Sequence, residues 1–156
     1  MECKLRLLEK LKKEGKVIVN YDDVHLQNIE CQNMSTFGFD MSSDYQISDI
    51  QSSGNSTSYT LTHMHNSLGI VSPLLGDYNV YNVTEAFLIG SAFGVEEVAL
   101  MERIRNLSPI YGRGERLDFG QDYTIVLDYA HTINGVKNIL EAYQEYDSII
   151  TVTGAA

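Results

Sequence analysis

An α/β fold is predicted by three features of this chain. Two apolar runs, Val17 to Asn20 and Tyr123 to Leu127, have the length and β-branched content of buried strands. Two longer stretches, one carrying Val80, Val83, Phe87 and Ala92 and one carrying Val98, Met101, Ile104 and Leu107, repeat apolar residues at helical spacing. Between strand and helices, residues from Ser35 to Pro73 alternate with period two.

Taken in order, residues 2–14 read as a helix, with Leu5, Leu8 and Leu11 or Leu7 and Leu11 turned inward and Gly15 at its C-terminal stop. The strand Val17 to Asn20 follows. Asp22 and Asp23 then suit the N-terminus of a second helix through Val24, Leu26 and Ile29, because a carboxylate satisfies free N–H groups there. Phe37 with Phe39, Tyr45 with Ile47, Tyr59 with Leu61, and Leu68 with Ile70 and Val71 mark a small antiparallel meander, with a turn at Ser53-Gly54-Asn55. A long helix begins near Asp77 and finishes at Gly94, and a second runs from Val95 to Leu107 until Pro109 stops it. The run Tyr123 to Leu127, a helix carrying Val136, Ile139, Leu140 and Tyr143, and a further apolar run, Ser148 to Val152, complete a βαβ unit. Ligands of such units collect at the carboxyl ends of the strands, where Asp128, His131 and Thr132 stand.

Composition narrows the function. A length of 156 residues holds one ordinary domain or parts of two, and 44% apolar residues suffice for a core. A net charge of -10 and a pI near 4.7 argue against nucleic acid and anionic membranes as partners. The basic cluster Lys10, Lys12, Lys13 and Lys16 reads as a solvated helix face. Cys3 and Cys31 form neither a disulfide framework nor a metal motif and suit the reduced thiols of a cytoplasmic protein. No signal peptide is expected, and no apolar run approaches the ~20 residues of a membrane span. His63 and His65 share one face of a predicted strand, a spacing able to chelate a metal, although a solvated face is the simpler reading. The tyrosines are spread over every segment and suit core and interface positions.

Four motifs in order resemble those of the Mur ligases, the ATP-dependent amide-forming enzymes that build the peptidoglycan stem peptide. Lys4 through Leu7, Leu8 and Gly15 to Val17-Ile18-Val19-Asn20-Tyr21-Asp22-Asp23 is similar to K-x-x-L-F…G…V-x-N-x-DD. Gly76-Asp77-Tyr78-Asn79-Val80-Tyr81-Asn82 is similar to G-x-(F/H/Y)-N-x-x-N, Gly112-Arg113-Gly114-Glu115 to GR-x-E, and Asp128-Tyr129-Ala130-His131-Thr132 to DYAHTP. The branch most resembled is UDP-N-acetylmuramoyl-tripeptide synthetase. The resemblance implies the end of a central ATPase domain over residues 1–108 (helices, one parallel-type strand, a small antiparallel meander), then over 109–156 the first βαβ unit of a Rossmann-like C-terminal domain.

The same resemblance implies site residues. An amide pairs a donor with an acceptor, as an adenine edge requires; Asn82 is read as the adenine contact and Asn79, three residues earlier, as a helix cap that can share the role. Arg113 offers a planar charged fork to phosphate or ribose oxygens. Asp128 is expected to accept from a ribose hydroxyl, with a helix cap as its alternative or additional role, and Thr132 to lie near the phosphates. His131 either touches phosphate or holds its loop, the second being the commoner use of such a histidine. Glu115 is read as a local partner of Arg113 or another base, without a catalytic role. Lys4, eleven residues before Gly15, matches the family's carbamylated lysine, a ligand for Mg²⁺, and is expected to be unmodified here because a lysine with a pKa of about 10.4 seldom loses its proton.

ATP and Mg²⁺ are thus the implied cofactors, with a UDP-N-acetylmuramoyl-peptide as substrate of the parent ligase. G-x-x-x-x-G-K-[ST] does not occur in the chain, and the resemblance places that motif and the Mg²⁺ ligands upstream and the amino-acid-recognising loop downstream. The chain alone is therefore expected not to ligate. Other readings are a non-catalytic remnant that binds a nucleotide or partner, self-associating or completed by a second fragment, and a piece of a folylpolyglutamate or cyanophycin synthetase. An unpaired edge at Val17 to Asn20 is expected to lower stability or favour self-association. Ile133 stands where the family has Pro, and Gly114 where GR-x-E has a bulky residue.

Overall fold

Alternation along one strand shows how the main sheet is built. In β4 (Ser56–His63), Thr57, Tyr59 and Leu61 are buried while Ser58, Thr60 and Thr62 between them are only partly covered, so one face meets the helices and the other is a Ser/Thr surface. The computed structural model describes residues 5–53, 55–108 and 110–154; Lys4, Cys3, the turn residue Gly54 and the proposed stop Pro109 lie outside them.

The sheet has five strands in the order β1 (Val17–Asn20), β2 (Met34–Gly38), β3 (Tyr45–Ser53), β4 and β5 (Asn66–Ser72). β1 and β2 are parallel, β2 and β3 are parallel, and the last two pairings are antiparallel. The predicted meander is therefore corrected at its start, since the run through Phe37 runs parallel to both neighbours. Strand β1 lies at the edge, as expected of Val17 to Asn20. His63 and His65 do not share a strand face: β4 ends at His63, and His65 sits in the two-residue turn with Met64, whose φ is +52°. The His63 ring instead stacks on Tyr45, and its Nδ1 lies 2.8 Å from the Asp44 carbonyl.

Helix α1 (Asp77–Ala92) lays Val80, Val83, Phe87 and Leu88 on Phe37, Ile47, Tyr59, Leu61 and Ile70, and α2 (Glu97–Arg105) adds Ile104. The predicted inward set of α1 holds except that Ala92 is only partly covered; in α2, Val98 is exposed. Within the core the Thr84 hydroxyl donates to the Tyr59 phenol oxygen at 2.9 Å, and burial pushes the Tyr59 pKa up to about 12.

Two expected helices are not seen at full length among the described residues. Of the 2–14 helix, residues 2–4 lie outside the described residues, and beyond Leu5 the chain forms turns and a short 3-10 helix, Leu8–Lys10, with Leu7 largely exposed. Residues 21–29 run as successive turns closed by i to i+3 bonds, because the Asp22 carboxylate is engaged elsewhere: it accepts from Phe39 N at 2.7 Å, Asp40 N at 3.1 Å and the Tyr81 hydroxyl at 2.8 Å. The Asp23 carboxylate accepts from His25 N at 2.9 Å. Asp22 thus ties the end of β1 to the end of β2 and to α1.

Beyond α2, β6 (Glu115–Leu117) and β7 (Ile125–Leu127) form an antiparallel pair, followed by α3 (Ile133–Glu141). The run Ser148 to Val152 is not a strand, and Ile150 and Val152 are almost fully exposed. Its apolar pattern is real, but a strand exists only with a partner, and none pairs with this run among the described residues. The βαβ expectation is thus met in its strand and helix and corrected in its return strand. Among the described residues no helix is long and apolar enough to cross a membrane.

Candidate functional site

Three separate turns build the site. The first opens α1. Gly76 has φ +89° and its backbone approaches so closely that an added Cβ would lie 2.8 Å from the Tyr78 ring and 2.9 Å from Ala142, so the start of α1 rests on the end of α3. Asn79 donates its amide to the Leu75 carbonyl at 2.8 Å and accepts from Asn82 Nδ2 at 3.2 Å. Asn79 therefore fastens the helix start, the cap-like role expected of it. Asn82 is exposed, and its carbonyl oxygen takes no hydrogen bond among the described residues.

The second and third turns hold each other. Gly112 N donates to the Glu115 carboxylate at 3.0 Å, so Glu115 serves its own backbone turn and makes no ion pair with Arg113. Gly114, with φ +62°, donates its N–H to Asp128 Oδ2 at 2.7 Å, and Asp128 Oδ1 accepts from Ala130 N at 2.7 Å. Tyr129 N donates to the Gly112 carbonyl at 2.8 Å. A Cβ at 114 would meet only the Tyr78 hydroxyl, at 3.9 Å, but would sit on a left-handed backbone, which explains a glycine there. The cap of α3 is not Asp128 but Thr132, whose hydroxyl accepts from Gly135 N at 3.1 Å. Each Asp128 oxygen keeps a lone pair for a further donor.

These turns meet in one cleft of about 490 Å³, lined by Asn79, Asn82, Arg113, Asp128, His131 and Thr132 among others. All six residues read from the sequence as nucleotide contacts face the same space. Two residues that sequence reasoning gave no role, Tyr78 and Tyr129, also line it; both stand inside the motifs, at the positions between the polar residues. Burial, together with the negative charge of Asp128, pushes the Tyr78 phenol up to about 12, so this ring is uncharged at neutral pH. The Arg113 guanidinium lies 5.2 Å from the centre of the Tyr129 ring, and Tyr129 packs edge-on against His131 at 5.1 Å. His131 Nδ1 sits 3.0 Å from the Tyr129 carbonyl, the loop-holding contact foreseen for it.

The chemistry of the cleft is that of a polar, anion-tolerant pocket, lined by two amides, a carboxylate suited to hydroxyl donors, a guanidinium and the capped N-terminus of a helix. A larger cleft of about 910 Å³ shares Tyr78 but is lined by Asp77, Glu141, Glu145 and Asp147, charges that repel a polyphosphate. No group of three His, Cys, Asp or Glu side chains able to hold a metal occurs among the described residues, and Lys4 lies outside them.

Comparison with known proteins agrees with this architecture. The model of the Mur ligase middle domain matches residues 1–90. The UDP-N-acetylmuramoyl-L-alanyl-D-glutamate–2,6-diaminopimelate ligase of Bacillus cereus is 34% identical over 111 residues, covering 71% of this chain and 23% of that protein. The corresponding L-lysine ligase of Staphylococcus aureus is 27% identical over 156 residues, 97% of this chain and 32% of its own. A solved diaminopimelate ligase superposes with a TM-score of 0.71 at 28% identity, over 94% of this chain and 32% of that one. A MurF ligase from Thermotoga maritima in complex with ADP gives 0.74 at 17% identity, over 94% and 34%, a likeness of fold. The chain spans about a quarter to a third of the length of the curated relatives it matches. With the family's middle-domain model matched over more than half of its residues, the chain belongs to the Mur ligase family.

Proposed function

We propose that this chain carries the nucleoside-binding side of an ATP-dependent ligase that adds an amino acid to a UDP-N-acetylmuramoyl-dipeptide in the cytoplasm, in peptidoglycan synthesis, and that it does not ligate alone. The observation that carries the reading is the convergence of Asn82, Arg113, Asp128 and Thr132 on one cleft from turns far apart in the chain. Asn82 offers its free carbonyl oxygen to an adenine amine, and Asp128 accepts from a ribose hydroxyl with the lone pairs its backbone bonds leave. Arg113 and the N-terminus of α3 meet the phosphates. Residues 1–108 and 109–156 are then the two sides of an interdomain cleft.

In such a ligase ATP supplies a phosphoryl group that turns a carboxylate into an acyl phosphate open to attack by an amine. The residues here bind and orient the nucleotide. The described residues assemble no site for Mg²⁺, and no step is assigned to it. Relatives named as diaminopimelate and as L-lysine ligases both align with this chain, so the match assigns no amino acid to it.

Calorimetry with ATP on this chain and on Asn82→Ala and Asp128→Ala tests the reading. Binding weakened by both substitutions supports it. A folded chain that binds no ATP, or binds it equally well after both changes, refutes it.

A further inference from the structure

Arg113 is an exposed cation in a chain of net charge -10, yet it makes no ion pair among the described residues. The carboxylate that lines its cleft, Asp128, accepts from the N–H groups of Gly114 and Ala130 and makes no ion pair with it, and Glu115 accepts from the N–H of Gly112. The guanidinium lies instead over the face of the Tyr129 ring, 5.2 Å from its centre, and His131 packs edge-on against the same ring at 5.1 Å. The Tyr129 backbone is pinned by its N–H to Gly112, so the ring is carried on the same frame as the arginine's own turn. A long side chain on a glycine-flanked turn has many rotamers to lose on binding, and a ring that restricts it without neutralising it lowers that cost.

We propose that Tyr129 is a positioning residue: its ring holds the Arg113 guanidinium at the cleft with its charge unspent, so that the site favours a nucleoside polyphosphate over the bare nucleoside. This rests on the nucleotide reading above, and it adds to it a residue and a discrimination. On this proposal the ring acts through the guanidinium and not through the base or ribose, so its removal is expected to act on the phosphate-bearing end.

The test compares ADP with adenosine, by calorimetry, on the chain and on Tyr129→Leu, Tyr129→Phe, Arg113→Ala and the Tyr129→Leu/Arg113→Ala double variant. Tyr129 is 66% exposed, so the leucine variant is expected to fold, which circular dichroism checks. Tyr129→Leu is expected to weaken ADP about two- to fivefold, the range of an exposed cation–π contact, and to leave adenosine unchanged. Tyr129→Phe keeps the ring and restores ADP binding, and with Arg113 already removed the leucine change has no further effect. In the ligand-free chain the Arg113 δ protons are expected to move upfield by ring current in NMR spectra, and to return in Tyr129→Leu. An unchanged ADP-to-adenosine preference in Tyr129→Leu, equal weakening of both ligands, additive effects in the double variant, or absence of the ring-current shift each overturns the proposal while the nucleotide reading stands. A folded chain that binds neither ligand overturns both.

Discussion

Replacing Gly76 by alanine tests how the site is anchored. Gly76 has φ +89° and ψ 147°, a region open almost only to glycine. Forcing an L-residue into it costs about 1 to 3 kcal/mol. The new methyl would also stand 2.8 Å from Tyr78 and 2.9 Å from Ala142, and over-packing of this kind costs about 1 to 3 kcal/mol more. The sum, about 2 to 6 kcal/mol, is a large part of the stability of a typical domain. Urea unfolding followed by circular dichroism measures it as a lower midpoint at constant m-value. Gly69→Ala in β5 is the control, since a Cβ there meets nothing within 4 Å and its backbone is ordinary, and a change within about 0.5 kcal/mol is expected. Because Tyr78 walls the candidate cleft, Gly76→Ala should also weaken ATP binding at temperatures where it stays folded. A stability loss under about 1 kcal/mol, no larger than that of Gly69→Ala, would refute the reasoning.

Two further outcomes are expected. Asp128→Asn turns an amide NH₂ toward one of the two N–H groups the carboxylate now accepts, at 2.7 Å each; for this half-buried site the loss is about 1 to 2 kcal/mol, seen as faster hydrogen exchange at Gly114 or Ala130, and unchanged exchange would count against the Asp128 bridge. The Tyr59 phenol, raised by burial from its ordinary 10.0 to about 12, favours the protonated folded state, so its stabilisation is complete below pH 10 and is lost as pH rises through 12. Tyr59→Phe should flatten that alkaline decline, leaving the shares due to Tyr45, Tyr78 and Tyr81, which are also raised, and an identical pH profile in the variant would refute the assignment.

Local chemistry was legible in the sequence where it concerned a few neighbouring residues. The apolar run of β1, the helical period of α1, and the loop residues Asn82, Arg113, Asp128 and Thr132 all emerged from motif and spacing. Errors fell where a distant partner decided the outcome. Asp22 looks like a helix cap, but Phe39 N and Tyr81, the latter 59 residues away, claim its oxygens and leave the next segment as turns. Ser148 to Val152 looks like a strand, but no strand pairs with it among the described residues. Asp128 also looks like a cap, yet Thr132 takes that place and Asp128 is drawn to Gly114. Tyr129 carried no signal of its own, because a ring's use depends on what packs against its faces.

By itself the sequence determined the α/β class, the family motifs and the residue types that carry the candidate chemistry, because periodicity and turn preference act over a few residues and need no knowledge of the rest of the chain. Only the tertiary structure decided that the parallel pairing extends through β2 to β3, that Asp128 joins two loops, and that three turns face one cleft. Those outcomes are choices among partners far apart in sequence, and the choice is made by which apolar faces and unpaired backbone groups can be satisfied together.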